Sequence, residues 1–240
     1  MAKINRKNKA KITDIERERY HGPLITDGVS LVYIKLYPWI GLALSGFMYL
    51  VGSYEDNLGI FKGISLFCGV VNILGVIISF IPYLVNAWKA LIYYLIALTV
   101  LSLVIGLDFI GLLMVISDGS PIGAKEIYQS PLTPFYVIFI LLLFIFTCGL
   151  YAWYYLPKNQ GKVWAFNQVK GGSRKKTWWN NFAIAFAGAT IIPALLTGYI
   201  QIAFGVLLGI LLTLTLPAVI ADAIYAAIYI KKHPDSDELV

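Results

Sequence analysis

The sequence predicts an all-α protein, a polytopic transmembrane bundle of about six helices with both termini in the cytoplasm. The chain has 240 residues, of which 59% are hydrophobic and only 13% are charged. Soluble domains carry about 45–50% apolar and about 25% charged residues, so this chain cannot cover a water-facing surface of its own. Six apolar runs reach the length of about 18 residues that a membrane span requires. These runs lack the alternation typical of a membrane β-barrel.

The first half of the chain holds three predicted spans. Residues 1–30 are polar and basic and form a cytoplasmic N-terminal tail before the first helix, at about 31–51. The second helix is placed at about 60–83, where Pro82 closes the run because proline cannot continue a helix. A third helix follows after a short turn, at about 88–116.

The second half holds the other three spans, which complete a membrane domain over 31–230. The fourth helix leads into the largest cytoplasmic loop, and the fifth and sixth are joined by a turn of a few residues. We place these elements at about 134–156 for the fourth helix, 157–181 for the loop, 182–199 and 202–230 for the last two helices, and 231–240 for a cytoplasmic tail.

The distribution of basic residues sets the orientation, because cytoplasmic loops carry an excess of Lys and Arg. With both termini inside, all but two of the 19 Lys and Arg residues lie on the cytoplasmic side, the exceptions being Lys62 and Lys125. The formal net charge of +6 is therefore interpreted as a record of orientation. The expected partner of the basic residues is the lipid bilayer, with anionic headgroups on the cytoplasmic side, and not a nucleic acid.

The loop at 157–181 combines basic and aromatic residues in a way that is typical of a membrane anchor. Indole rings favour the headgroup layer, and each cation beside anionic headgroups gains about 1 kcal/mol. We expect the loop to lie against the membrane surface, with docking of a cytoplasmic partner as the alternative. The predicted headgroup contacts are Trp164, Arg174, Lys175, Lys176, Trp178 and Trp179.

Asp108 and Asp222 are the two acidic residues inside apolar runs. An acid within a membrane helix is costly to bury and therefore indicates a functional site. Each lies about 20 residues into its run, which places Asp108 near the outer and Asp222 near the inner interface. Two interpretations remain open: the carboxylates reach water at the interfaces, or they form a proton or cation relay with one acid towards each face.

Polar and proline residues of the membrane helices add a second candidate feature. Thr213 and Thr215 precede Pro217, which leaves a carbonyl one turn earlier without its helical N–H donor. Threonine hydroxyls can donate to that carbonyl or help to coordinate a cation. A plain helix kink is the alternative. Asn72 in the second helix is expected to form an inter-helix hydrogen bond.

Small residues four positions apart predict close helix packing or oligomer contacts, because they let helix backbones approach each other in lipid. The pairs are Gly59 and Gly63, Ala183 and Ala187, Gly205 and Gly209, and Ala223 and Ala227.

The sequence indicates no catalytic site. Histidine occurs only at His21 and His233, both in the tails, and no HExxH, Cys/His cluster, GxSxG or Walker A motif is present. We therefore expect no enzyme activity, no metal site and no cofactor.

Two functions remain for such a protein. The leading hypothesis is a non-enzymatic, multi-pass protein of the plasma membrane, acting as an accessory, interaction or self-protection (immunity-type) protein with a membrane-protein partner or as a homo-oligomer. The alternative is a small transporter or permease subunit that uses Asp108, Asp222 and the segment from Thr213 to Pro217.

Overall fold

The computed structural model describes residues 30–52, 59–117, 124–156, 159 and 200–232, and no strand occurs among them. Five of the described helices are long and apolar enough to cross a membrane. They are α1 (Tyr33–Gly52), α2 (Ile60–Ser79), α4 (Lys89–Ile116), α6 (Leu132–Tyr154) and α7 (Ile200–Lys232); α3 (Pro82–Ala87) and α5 (Ala124–Gln129) are short. The all-α prediction is confirmed for the described residues, whereas the six-span count and the orientation stay predictions. The predicted helix at 182–199, the loop at 157–181 apart from Asn159, and most of both tails lie outside the described residues.

The second predicted helix ends earlier than its hydropathy indicates. α2 stops at Ser79, and α3 begins at Pro82. Between them Ile81 has non-helical angles, φ −114° and ψ 81°, because the proline ring that follows it disfavours the helical conformation. Proline suits the first turn of a helix, where no intrahelical N–H bond is lost. The single helix predicted over 60–83 is therefore replaced by two.

α4 is the central helix of the described bundle and packs against α1, α2, α6 and α7. Its most extensive partner is α7, which runs antiparallel to it. Gly205 near the start of α7 approaches Gly111 near the end of α4, while Ala223 and Ala227 pack in one cluster with Ile92 near the start of α4. The predicted small-residue positions on α7 thus bring the two longest helices together.

α1 and α2 pack on α4 through small and polar residues. The side-chain amide of Asn72 donates to the Ser102 hydroxyl of α4 at 2.6 Å and to the Cys68 carbonyl at 2.8 Å. The predicted inter-helix hydrogen bond of Asn72 is confirmed. Gly41 of α1 leaves room for this amide, since a Cβ at that position would overlap with it. Gly63, by contrast, faces open space and makes no close helix contact.

α6 runs parallel to α7. Tyr136 near the start of α6 reaches the Gly205 carbonyl near the start of α7, and Tyr225, later in α7, donates to the Ala152 carbonyl near the end of α6. The end of α6 and the beginning of α7 therefore lie at opposite ends of the bundle.

Most of the described lysine side chains gather at one end of the bundle. This basic end comprises the starts of α1 and α4 and the end of α7, where Lys231 lies over the Tyr94 ring at 5.1 Å. Lys62 lies at the opposite, far end, over the Tyr49 ring at 5.2 Å. The lysines of the basic end are Lys35, Lys89, Lys231 and Lys232, and the exposed tryptophans towards that end are Trp39, Trp88 and Trp153.

Candidate functional site

Asp108 of α4 is buried, with 9% of its surface exposed. The hydroxyl of Thr213 on α7 donates to its carboxylate, at 3.5 Å from Oδ1 and 3.3 Å from Oδ2. Two residues that the sequence singled out separately thus meet across the α4–α7 interface. The bond is long for an O–H···O contact, and a carboxylate accepts about four hydrogen bonds, so Asp108 retains acceptor capacity.

The Thr213 carbonyl is the one that Pro217 leaves without its helical N–H donor. α7 nevertheless runs continuously through Pro217. The Thr147 hydroxyl of α6 lies 2.9 Å from the Thr213 carbonyl and also contacts the carbonyls of its own preceding turn. Thr147, Thr213 and Asp108 therefore form a buried polar chain that links α6, α7 and α4.

Asp222 lies in a different part of the bundle. It is 2% exposed, about 13 Å along α7 from Thr213, and close enough to Tyr155 to interact with it electrostatically. Both carboxylates are thus buried within the described bundle. Thr215 is exposed and donates to the Leu211 carbonyl of its own helix, so it does not join Asp108.

An apolar cavity of about 280 Å³ borders Asp108. Its walls come from α1, α2, α4 and α6, and among its described lining residues Asp108 is the one charged side chain. Val137 and Leu141 of α6 line it and are 38% and 53% exposed, so the cavity opens on the side of the bundle. Other lining residues include Met48, Phe61, Ile64, Phe109 and Tyr136.

Tyr136 brings a second polar group to this cavity. Its hydroxyl lies 3.5 Å from the Gly205 carbonyl and interacts electrostatically with Asp108. A Cβ at Gly111 or at Gly209 would overlap with the hydroxyl, so these two glycines create the space between α4 and α7 into which Tyr136 inserts. The predicted Gly205 and Gly209 pair therefore accommodates a tyrosine of a third helix as well as packing on α4.

Sequence reasoning missed Tyr136 and Thr147. A tyrosine near a helix end looks like any interfacial aromatic residue, whereas a threonine in an otherwise apolar run was a usable signal. The predicted headgroup contacts Trp164, Arg174, Lys175, Lys176, Trp178 and Trp179 lie outside the described residues.

The chemistry of this site is that of a single carboxylate supported by hydroxyl groups. Within the described part of the chain, no group of three or more His, Cys, Asp or Glu side chains is arranged to hold a metal ion. A lone buried carboxylate takes up a proton or a cation. No protein-family model, curated protein or solved structure matches the chain.

Proposed function

We propose that the protein crosses the plasma membrane six times, with both termini in the cytoplasm. The parallel arrangement of α6 and α7 supports this number, because the chain leaves α6 at one end of the bundle and enters α7 at the other. The apolar run at 182–199 would reach about 27 Å as a helix, close to the thickness of the hydrocarbon core. The cluster of lysines at the basic end supports the orientation.

Within that membrane, the proposed role is non-enzymatic: the protein acts through contacts with another membrane protein, with lipid or with a second copy of itself. α6 supports this role, since it is the least buried of the five described spans. Its exposed side chains are large and apolar, among them Phe135, Ile138, Leu142 and Phe146. An accessory subunit of a transport complex or a self-protection protein would have such a face.

Cross-linking in the native membrane, followed by purification in mild detergent, tests this role. We expect a defined companion protein or a homo-oligomer, with recovery reduced by Phe146→Ala on α6. The matched control is Phe67→Ala on α2, because Phe67 is also an exposed aromatic residue, at 56% against 65% for Phe146. A monomer without a companion, together with a deletion that changes no toxin or transport phenotype, would contradict the proposal.

The second candidate is a small transporter or permease subunit. The observation in its favour is the buried chain from Thr147 through Thr213 to Asp108, which joins three helices beside a cavity. Ion or solute flux in proteoliposomes tests it, with Asp108→Asn and Asp222→Asn as the decisive variants. Unchanged flux in both variants would remove the two acids from any transport mechanism.

A further inference from the structure

The cavity beside Asp108 combines one carboxylate with apolar walls. Burial of an ionised carboxylate is costly unless a cation or several hydrogen bonds compensate it. Among the described contacts of Asp108 the only hydrogen bond is the long one from Thr213. This bond alone does not compensate an ionised Asp108, so the carboxylate takes up a proton or a cation.

Among the described residues that line the cavity, none carries a positive charge. α1 and α2 contribute Met48, Phe61 and Ile64 to the cavity, and α6 contributes Tyr136, Phe144 and aliphatic residues. In sequence, the lysine closest to a lining residue is Lys62, which follows Phe61. Its ammonium group lies over the Tyr49 ring. Asp108 is then either protonated or paired with a cation that comes from outside the described part of the protein.

We propose that this cavity binds a small amphipathic amine, with the ammonium group on the Asp108 carboxylate and the hydrocarbon part along the apolar walls. The volume of about 280 Å³ is close to the lower limit of about 300 Å³ for small-molecule pockets, which selects a compact ligand. The apolar lining selects a hydrocarbon body rather than a hydrated inorganic ion.

The ligand enters from the side of the bundle. Val137 and Leu141 form the exposed rim of the cavity, on the surface that would face lipid in a membrane. An amphipathic amine partitions into the bilayer and reaches this rim without passing through water. Binding does not depend on the interaction role or the transport role, since it requires neither a companion protein nor movement of the ligand across the membrane.

Equilibrium dialysis of the full-length protein in lipid nanodiscs, with phenethylamine as the probe and empty nanodiscs as the blank, tests this proposal. We expect saturable binding that is weakened about tenfold or more in Asp108→Asn and is unchanged in Asp222→Asn, because Asp222 is buried away from the cavity. Phenethyl alcohol, which has a similar shape and no charge, is expected to bind at least about tenfold more weakly than the amine to the wild type. The affinity of phenethyl alcohol for Asp108→Asn is expected to equal its affinity for the wild type.

A second pair of variants keeps the test decisive if Asp108→Asn does not fold. Leu141→Trp narrows the rim without touching Asp108 and is expected to weaken phenethylamine binding. Leu142→Trp is the matched control, since Leu142 is 63% exposed and does not line the cavity. Absence of saturable amine binding to the wild type, equal amine and alcohol affinity, or equal effects of the two tryptophan variants would overturn the proposal.

Discussion

Thr147 shows how a single hydroxyl connects two helices. It donates to the Thr213 carbonyl that Pro217 leaves without a helical partner. We predict that Thr147→Val lowers the free energy of unfolding by about 1 kcal/mol, because a buried carbonyl loses its donor. Thr215→Val is the control and is expected to stay within about 0.5 kcal/mol, since Thr215 is exposed and bonds within its own helix. Titration with SDS in mixed micelles measures both, and equal effects would contradict the assignment.

Tyr136 and Gly209 form a second pair of residues whose fit can be tested. An alanine Cβ at Gly209 would overlap with the Tyr136 hydroxyl and lie 2.9 Å from Cδ1 of Ile140. We predict that Gly209→Ala costs about 1–3 kcal/mol of stability through overpacking. The double variant Gly209→Ala with Tyr136→Phe should recover most of this loss, because the overlapping oxygen is gone.

The same unfolding titration measures this double-mutant cycle. Gly46→Ala on α1 is the control, since nothing lies within 4 Å of a Cβ there, and it should be neutral or stabilising by up to about 1 kcal/mol. A double variant no more stable than Gly209→Ala alone would show that the hydroxyl is not the obstacle.

At the residue scale, the sequence identifies groups that are costly to bury but not their partners. Asp108 and Thr213 stand out because charged and proline-linked polar residues are rare in apolar runs. Tyr136 and Thr147 become distinctive only once α6 is placed beside α7, and that placement depends on packing distant in sequence.

At the scale of elements, helix existence follows from hydropathy, whereas helix ends depend on local backbone chemistry. The predicted runs at 88–116 and 202–230 lie within two residues of α4 and α7 at each end. The run at 60–83 splits, because the conformational restriction before Pro82 overrides continuous hydrophobicity. The spacing of small residues also predicts packing only in part. It identifies residues that permit a close helix contact, but not which face of the helix meets a neighbour.

Gly75 and Gly63 of α2 show that a glycine on a membrane helix does not always mark a close helix contact. A Cβ at Gly75 would lie 2.7 Å from Cγ of Pro38 on α1 and 3.3 Å from Cγ2 of Thr99 on α4, whereas Gly63 faces open space. The proline ring cannot rotate away, so we predict that Gly75→Ala separates α2 from α1 and costs about 1–3 kcal/mol. Gly63→Ala should be neutral or stabilising by up to about 1 kcal/mol. The difference is measured by SDS titration, and two equal values would contradict the described packing of α1 on α2.

At the scale of the whole molecule, composition and charge carry most of the predictable information. The low charged fraction of 13% is typical of a membrane protein, and the net charge of +6 predicts an orientation with the basic loops inside. The relative directions of α4, α6 and α7 are not contained in composition. They come from contacts such as those of Gly111 with Gly205 and of Tyr225 with Ala152.

These directions make the number of crossings testable. α1 begins and α7 ends at the basic end, which favours an even number of crossings. We expect six, with the chain returning between α6 and α7. In a protein with Cys68 and Cys148 replaced by alanine, we predict that a membrane-impermeant maleimide labels Gln129→Cys in intact cells. Ser30→Cys and Lys232→Cys should be labelled only after permeabilisation. Labelling of Lys232→Cys but not Ser30→Cys in intact cells would place the termini on opposite sides and contradict both the six-span topology and the parallel pairing of α6 with α7.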